Sequence, residues 1–139
     1  MQQDKLKIHA FRLKPGQDLR NEIEAYVQKE NIDAGWIMTC VGSLTQVHLR
    51  FANSSCGIKF NGHFEIVSLV GTVSINGCHL HLAVSDTSGG TLGGHLLTEN
   101  LVYTTAEIVI GENKELVFTR KKEGTTDWEE LQVKNKIKN

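Results

Sequence analysis

In KLKIHAFRL, near the N-terminus, apolar and polar positions alternate with a period of two. Leu6, Ile8 and Ala10 share one face, and the alternation predicts a strand. PGQD then turns the chain and leaves Asp18 as an N-cap for the next segment. In LRNEIEAYVQKENI the period changes, with Leu19, Ile23, Tyr26 and Val27 recurring at helical spacing as one apolar stripe. The remainder reads as strands: AGWIMTCVGSL, TQVHLRF, HFEIVSLVGTVSI, CHLHLAVSD, NLVYTTAEIVIG and KELVFTR. Turn residues separate them at Asn53–Ser55, Asn61–Gly62, Asn76–Gly77, Ser88–Gly90 and Gly111–Asn113. No linker interrupts the series, so residues 1–139 are expected to form one domain, with a flexible basic tail at about 134–139. The expected fold class is α+β, a mainly antiparallel β-sheet with one main helix packed on it.

The stretch NGCHLHLAVSDTSGGTLGGHL, from Asn76 to Leu96, carries the candidate chemistry. Asn-Gly between alternating runs is a strong hairpin signal, because both central positions of a type I′ turn need positive φ. A two-residue turn at Asn76–Gly77 would pair Ser74 with His79 and Thr72 with His81. Alternation then puts His79 and His81 on one face, roughly 7 Å apart at Cα, with Leu80 and Leu82 turned to the core. That spacing suits two ligands of one ion. Gly93–Gly94 can bring the backbone close, so that His95 returns as a third imidazole. From the residues alone, the three stand either as metal ligands or as polar neighbours on a strand. Glu65 and Asp86 are candidate carboxylates to orient an imidazole, or solvated strand-edge charges. His9, His48 and His63 read as surface or half-buried residues, and Trp36 and Trp128 as core or subunit interface. Cys78 is turned away from the histidine face by alternation.

Composition narrows the partners. A net charge of −1 supplies no general attraction to nucleic acid or to an anionic membrane. No apolar run reaches the roughly 20 residues that span a bilayer, and MQQDKLKIHAF lacks a signal-peptide core, so the chain reads as cytoplasmic. Three cysteines without C-x-x-C spacing point to free thiols. RKKE at Arg120–Glu123 reads as a solvated edge. There is no P-loop, and the glycines at 89–94 lack the strand-to-helix setting of a dinucleotide site. A cupin would want a glutamate soon after the second histidine, where Ala83, Val84, Ser85 and Asp86 stand.

GHFEIVSLVGTVS, HLHLAVSDTSGGTLGGHLL and TTAEIVIG together resemble the PPC domain, the plant and prokaryote conserved domain. The resemblance runs from FRLKPGQDL to ELVFTR. It implies a mainly antiparallel α/β fold, assembly as a homotrimer, and a metal, with zinc the implied ion, at His79, His81 and His95. Plant members carry the domain after AT-hooks in nuclear DNA-binding proteins. Here there is no Arg-Gly-Arg-Pro core, and His63 stands where the plant motif has arginine. The resemblance leaves two functional expectations. One is a homotrimeric DNA-binding or regulatory metal-binding module. The other is a zinc-dependent enzyme acting on an unidentified small molecule, with Glu65 as general base.

Overall fold

The computed structural model describes residues 5–137. Its elements are β1 (Leu6–Leu13), α1 (Leu19–Lys29), β2 (Gly35–Arg50), β3 (Ile58–Val73), β4 (His79–Ser85), β5 (Thr91–Leu96), β6 (Leu101–Asn113), β7 (Leu116–Lys122) and β8 (Glu129–Asn135). Six strands form an antiparallel sheet in the order β1-β6-β2-β3-β4-β5, and β7 pairs with β8 as a separate hairpin. The expected mainly antiparallel sheet with a single helix is therefore present. The sheet also curls. β5 pairs with β4 and returns to the end of β2, closing β2, β3, β4 and β5 into a ring.

The helix forms where the apolar stripe predicts it. The Asp18 carboxylate accepts from the Arg20 and Asn21 amides, a cap that contributes about 1 kcal/mol. Asn31, at φ 54°, ends it in the left-handed region, and the Ile32 amide donates back to Val27 O. Leu19, Ile23 and Val27 are fully buried in a core that includes Leu80, Leu82, Leu96, Ile108 and Ile110. Each such side chain contributes roughly 1.5–3 kcal/mol by leaving water.

Several expectations are corrected. The strand expected at KLKIHAFRL is β1, and His9, expected at the surface or half-buried, is buried on it with Leu13, Phe11 being half-buried, whereas Leu6 and Ile8 are each 50% exposed. The two strands expected over 34–51 are one, β2, kinked where the β2–β3 register shifts between Leu44 and Gln46. Asn61–Gly62 is no turn; it lies in β3 on the other side of that bulge. TLGGHL, which the patterning does not mark as a strand, is the strand β5. Of the expected tail, Lys134 and Asn135 complete β8, Lys136 pairs with Asp33, and residues 138–139 lie outside the described residues. Among the described residues no helix is long and apolar enough to cross a membrane.

The β3–β4 connection corrects the expected hairpin. Thr72 pairs with His79 and Val70 with His81, two places from the two-residue-turn register. The turn spans Ser74–Gly77, with the Gly77 amide donating to Ser74 O; Gly77 takes φ 134°, and Asn76 stays out of the positive-φ region. A slip of two leaves every side chain on its face, whereas a slip of one would have buried both histidines.

Candidate metal centre and the cavity beside it

Strand β4 turns Leu80, Leu82 and Val84 into the core and His79 and His81 outward. Gly71 lets β3 lie close beneath: a Cβ there would sit 1.9 Å from His79 O, at φ 145°. Strand β5 runs antiparallel to β4 and sets His95 directly opposite His81. Leu92 and Leu96 alternate inward on β5, and a Cβ on Gly94 between them would meet Arg50 O at 2.7 Å. The glycine that dilutes the strand signal in the sequence is thus what lets β5 reach β2.

These pairings bring the three imidazoles together. The Nε2 atoms of His79 and His81 lie 3.1 Å apart, and one nitrogen from each of the three rings falls within 4.8 Å of the others. Two zinc–nitrogen bonds of about 2.0–2.1 Å at a tetrahedral angle separate their nitrogens by about 3.3 Å, close to the His79–His81 distance. His95 Nδ1 is buried with no hydrogen-bond partner. Burial, then the Arg50 guanidinium, push the His95 pKa down to about 4. His79 is also lowered, by burial first and then by His81 and Arg120. Both shifts favour the unprotonated ring, which carries the free lone pair a metal needs. The donor set and its geometry fit a zinc-type ion.

The other sequence candidates fall elsewhere. Glu65 is exposed and pairs with Ser85, four strand positions from His81, or about 13 Å along β4. The structure thus removes it from the histidine cluster of its own chain. Asp86 accepts from the Ser88 and Gly90 amides and the Ser88 hydroxyl, which organise the 86–90 turn and lower its pKa. His63 lies against Tyr103, with ring centroids 4.7 Å apart, and His48 Nδ1 donates to Thr98 O. Cys78 is half-buried, its thiol is pushed up by burial, and it is not one of the clustered ligands. His9, expected near the surface, is 3% exposed and bonds Glu112, itself fully buried, at 2.9 Å. Glu130 of β8 is a carboxylate that does come near, sharing a shallow pocket with His79 and His81.

His79 and His95 also border a cavity of about 600 Å³. Arg20 of α1, Arg50 of β2 and Arg120 of β7 converge on it, with Trp128 at the mouth. Arg20 Nη1 donates to Leu96 O at 2.6 Å, Arg120 Nη2 to Thr72 Oγ1 at 2.7 Å, and the Arg50 guanidinium lies 4.9 Å from the Trp128 ring centroid. Sequence patterning missed this set because its members come from distant elements. Arg120 is no solvated edge but a half-buried wall, and Trp128 is 62% exposed rather than core.

The mainly antiparallel sheet, single helix and histidine-bearing hairpin define a class that sequence comparison identifies. The model of the Plants and Prokaryotes Conserved (PCC) domain matches residues 1–114, and the chain belongs to that family. It is 41% identical over 128 residues to the bifunctional protein GlmU of a Synechococcus strain, covering 92% of this chain; it spans about a fifth, 21%, of that relative's length. It is 27% identical over 112 residues to the AT-hook motif nuclear-localized protein 8 of Arabidopsis thaliana, covering 74% of this chain and 29% of that one. A hypothetical protein from Salmonella cholerae-suis superposes with a TM-score of 0.93 at 42% identity, over 95% of this chain and 96% of that one. A metal-containing protein from Archaeoglobus fulgidus shares the fold, with a TM-score of 0.79 at 23% identity, over 91% and 93% of the two chains.

Proposed function

We propose that this PCC-domain chain is a zinc-binding module in which His79, His81 and His95 hold the ion, that it works in the cytoplasm as a homotrimer, and that its role is regulatory. The observation that carries the reading is the convergence of three imidazole nitrogens within 4.8 Å, on two of which the surroundings disfavour a proton. The metal-containing Archaeoglobus protein with the same fold supports it. A trimer is supported by apolar side chains on three adjacent strands: Met38 and Val41 of β2, Val67 and Val70 of β3 and Tyr103 of β6 are 44–58% exposed. Closed symmetry would remove such surface from water. DNA contact, which the AT-hook relative brings into view, would have to be made without an AT-hook and at a net charge of −1.

A second reading, a zinc-dependent enzyme acting on a small substrate, is favoured by the 600 Å³ cavity at the histidines and by Glu130 beside them. A three-histidine zinc lowers the pKa of its bound water to about 7. This chain's residues would bind and orient the substrate: the arginines by charge, Trp128 by its ring, and Glu130 by accepting a proton.

The test is elemental analysis of untagged protein. About one zinc per chain is expected in the wild type, with loss in His79→Ala, His81→Ala and His95→Ala. Wild-type protein without stoichiometric metal would overturn both readings. X-ray absorption at the zinc edge separates them, since a fourth protein ligand favours the module and a water favours the enzyme.

A further inference from the structure

The cavity beside the histidines is walled by a part of the chain that the family match does not include. The PCC match ends at residue 114, and the β7–β8 hairpin that supplies Arg120 and Trp128 begins at Leu116. The hairpin is fixed to the body: the Phe118 amide donates to Asp33 O, and Phe118 O accepts from the Ser74 hydroxyl and the Asn76 side-chain amide. We infer that this cavity is a binding site for a small organic oxyanion, a carboxylate or a phosphate, held by the guanidinium groups of Arg20, Arg50 and Arg120 next to the histidine cluster.

The arginines are placed for this by the same pairings that place the histidines. Arg50 is the direct cross-strand partner of His95. Arg120 is held by Thr72, the partner of His79, and Arg20 is held by the carbonyl of Leu96, the residue after His95. Arg120 and Arg50 are each anchored through one nitrogen of the fork, whereas Arg20 uses Nη1 on Leu96 O and Nε on Glu24. Arg120 Nε is buried without a hydrogen-bond partner, and Arg50 makes one long bond, 3.4 Å, to Ser54 O. Anchored, half-buried guanidiniums with donors to spare match the planar oxygens of carboxylate and phosphate.

Acidic residues also line the cavity, and their positions decide its character. Glu24 is bonded to Arg20 Nε at 2.8 Å, and Glu130 accepts from the Thr126 hydroxyl. Asp127 and Glu129 are exposed on the hairpin. The uncommitted acids thus stand on the solvated hairpin, while Arg20 and Arg120 are tied to Leu96 and Thr72 beside the histidines and Arg50 lies across from His95. A volume of about 600 Å³ lies within the range of pockets for small molecules, and Trp128 adds an apolar wall for the carbon part of a ligand.

The inference rests on the metal reading only for what lies next to the anion, so the test separates the two. Titration calorimetry on the full zinc-loaded chain, with zinc content measured on every sample, would use citrate and inorganic phosphate as probes. Binding of either probe is expected, and which one binds identifies the oxyanion. Arg50→Gln and Arg120→Gln should each weaken it at least tenfold with zinc content unchanged, Arg120→Lys should recover part of the loss, and Lys29→Gln should bind as the wild type. A zinc-loaded wild type that binds neither probe overturns the inference and leaves the metal reading standing. So does binding unchanged in the arginine variants but lost in His81→Ala, which would put the anion on the metal alone. A zinc-free wild type would sink the metal reading, and the arginine arms would decide the anion site on that protein in the same way.

Discussion

His9 Nε2 and Glu112 Oε2 meet at 2.9 Å inside the protein, joining β1 to β6. Tyr26 reaches the other ring nitrogen, and Lys114 bonds the second carboxylate oxygen. The arrangement explains why β1 buries the less apolar of its two faces. Leu6, Ile8 and Ala10 are the more apolar face, yet a histidine with two partners can be buried, and Phe11 and Leu13 lie on its side. A residue's hydropathy does not register the partner about a hundred positions away that makes its burial tolerable. Removing one member would strand the other, so His9→Leu should lower stability by about 3–5 kcal/mol in urea denaturation. Burial raises the Glu112 pKa, but bonds from Lys114 and His9 outweigh it, leaving a net lowering. A carboxylate depressed in the folded state contributes stability that is present above its ordinary value, about 4.3, and lost as the pH falls through the folded value. Urea midpoints should therefore fall with acid below about pH 4.3, and less steeply in Glu112→Gln.

At the scale of elements, what the sequence could carry was the period, and what it could not was the register. The helical stripe over Leu19–Val27 and the alternation over His79–Val84 were legible because each arises from burial of one face. The β3–β4 register was not, since the Ser74–Gly77 turn is built around bonds from the body to Phe118, far along the chain. The histidine face was nevertheless predicted correctly, because the error was an even number of residues. Strand β5 was obscured by Gly93–Gly94, and β8 by its charge. Register here depends on contacts too close for a Cβ. Gly71→Ala would press a methyl into His79 O at unfavourable φ. It should cost about 1–3 kcal/mol, and by displacing His79 it should lower the stoichiometry of the proposed zinc, as melting and metal analysis would report.

For the whole molecule, the apolar face centred on β2 and β3 has the larger consequence. Val41, Val67 and Val70 stand 54–58% exposed in the middle of the sheet rather than at an edge. Burying them between copies would favour association by roughly 25 cal/mol for each Å² of apolar surface covered. Val41→Lys combined with Val70→Lys should therefore convert the proposed trimer to a species of one 15.5 kDa chain by light scattering. A mass unaltered in the double variant would mean that the copies meet elsewhere. Nothing in the one-dimensional pattern distinguishes these valines from core ones; only the curl of the sheet decides which face is left uncovered.

The three histidines all belong to one hairpin, β4 with β5, closed by the short 86–90 turn. Arg20, Arg50 and Arg120 belong to three elements spread over most of the chain. In time, the two groups are therefore born separately. A short hairpin closes at small entropic cost and can gather its imidazoles early, whereas the arginine wall exists only when the last long-range docking is complete. The two groups also divide at the edge of the PCC match, which contains the whole histidine hairpin but ends before Arg120 and Trp128.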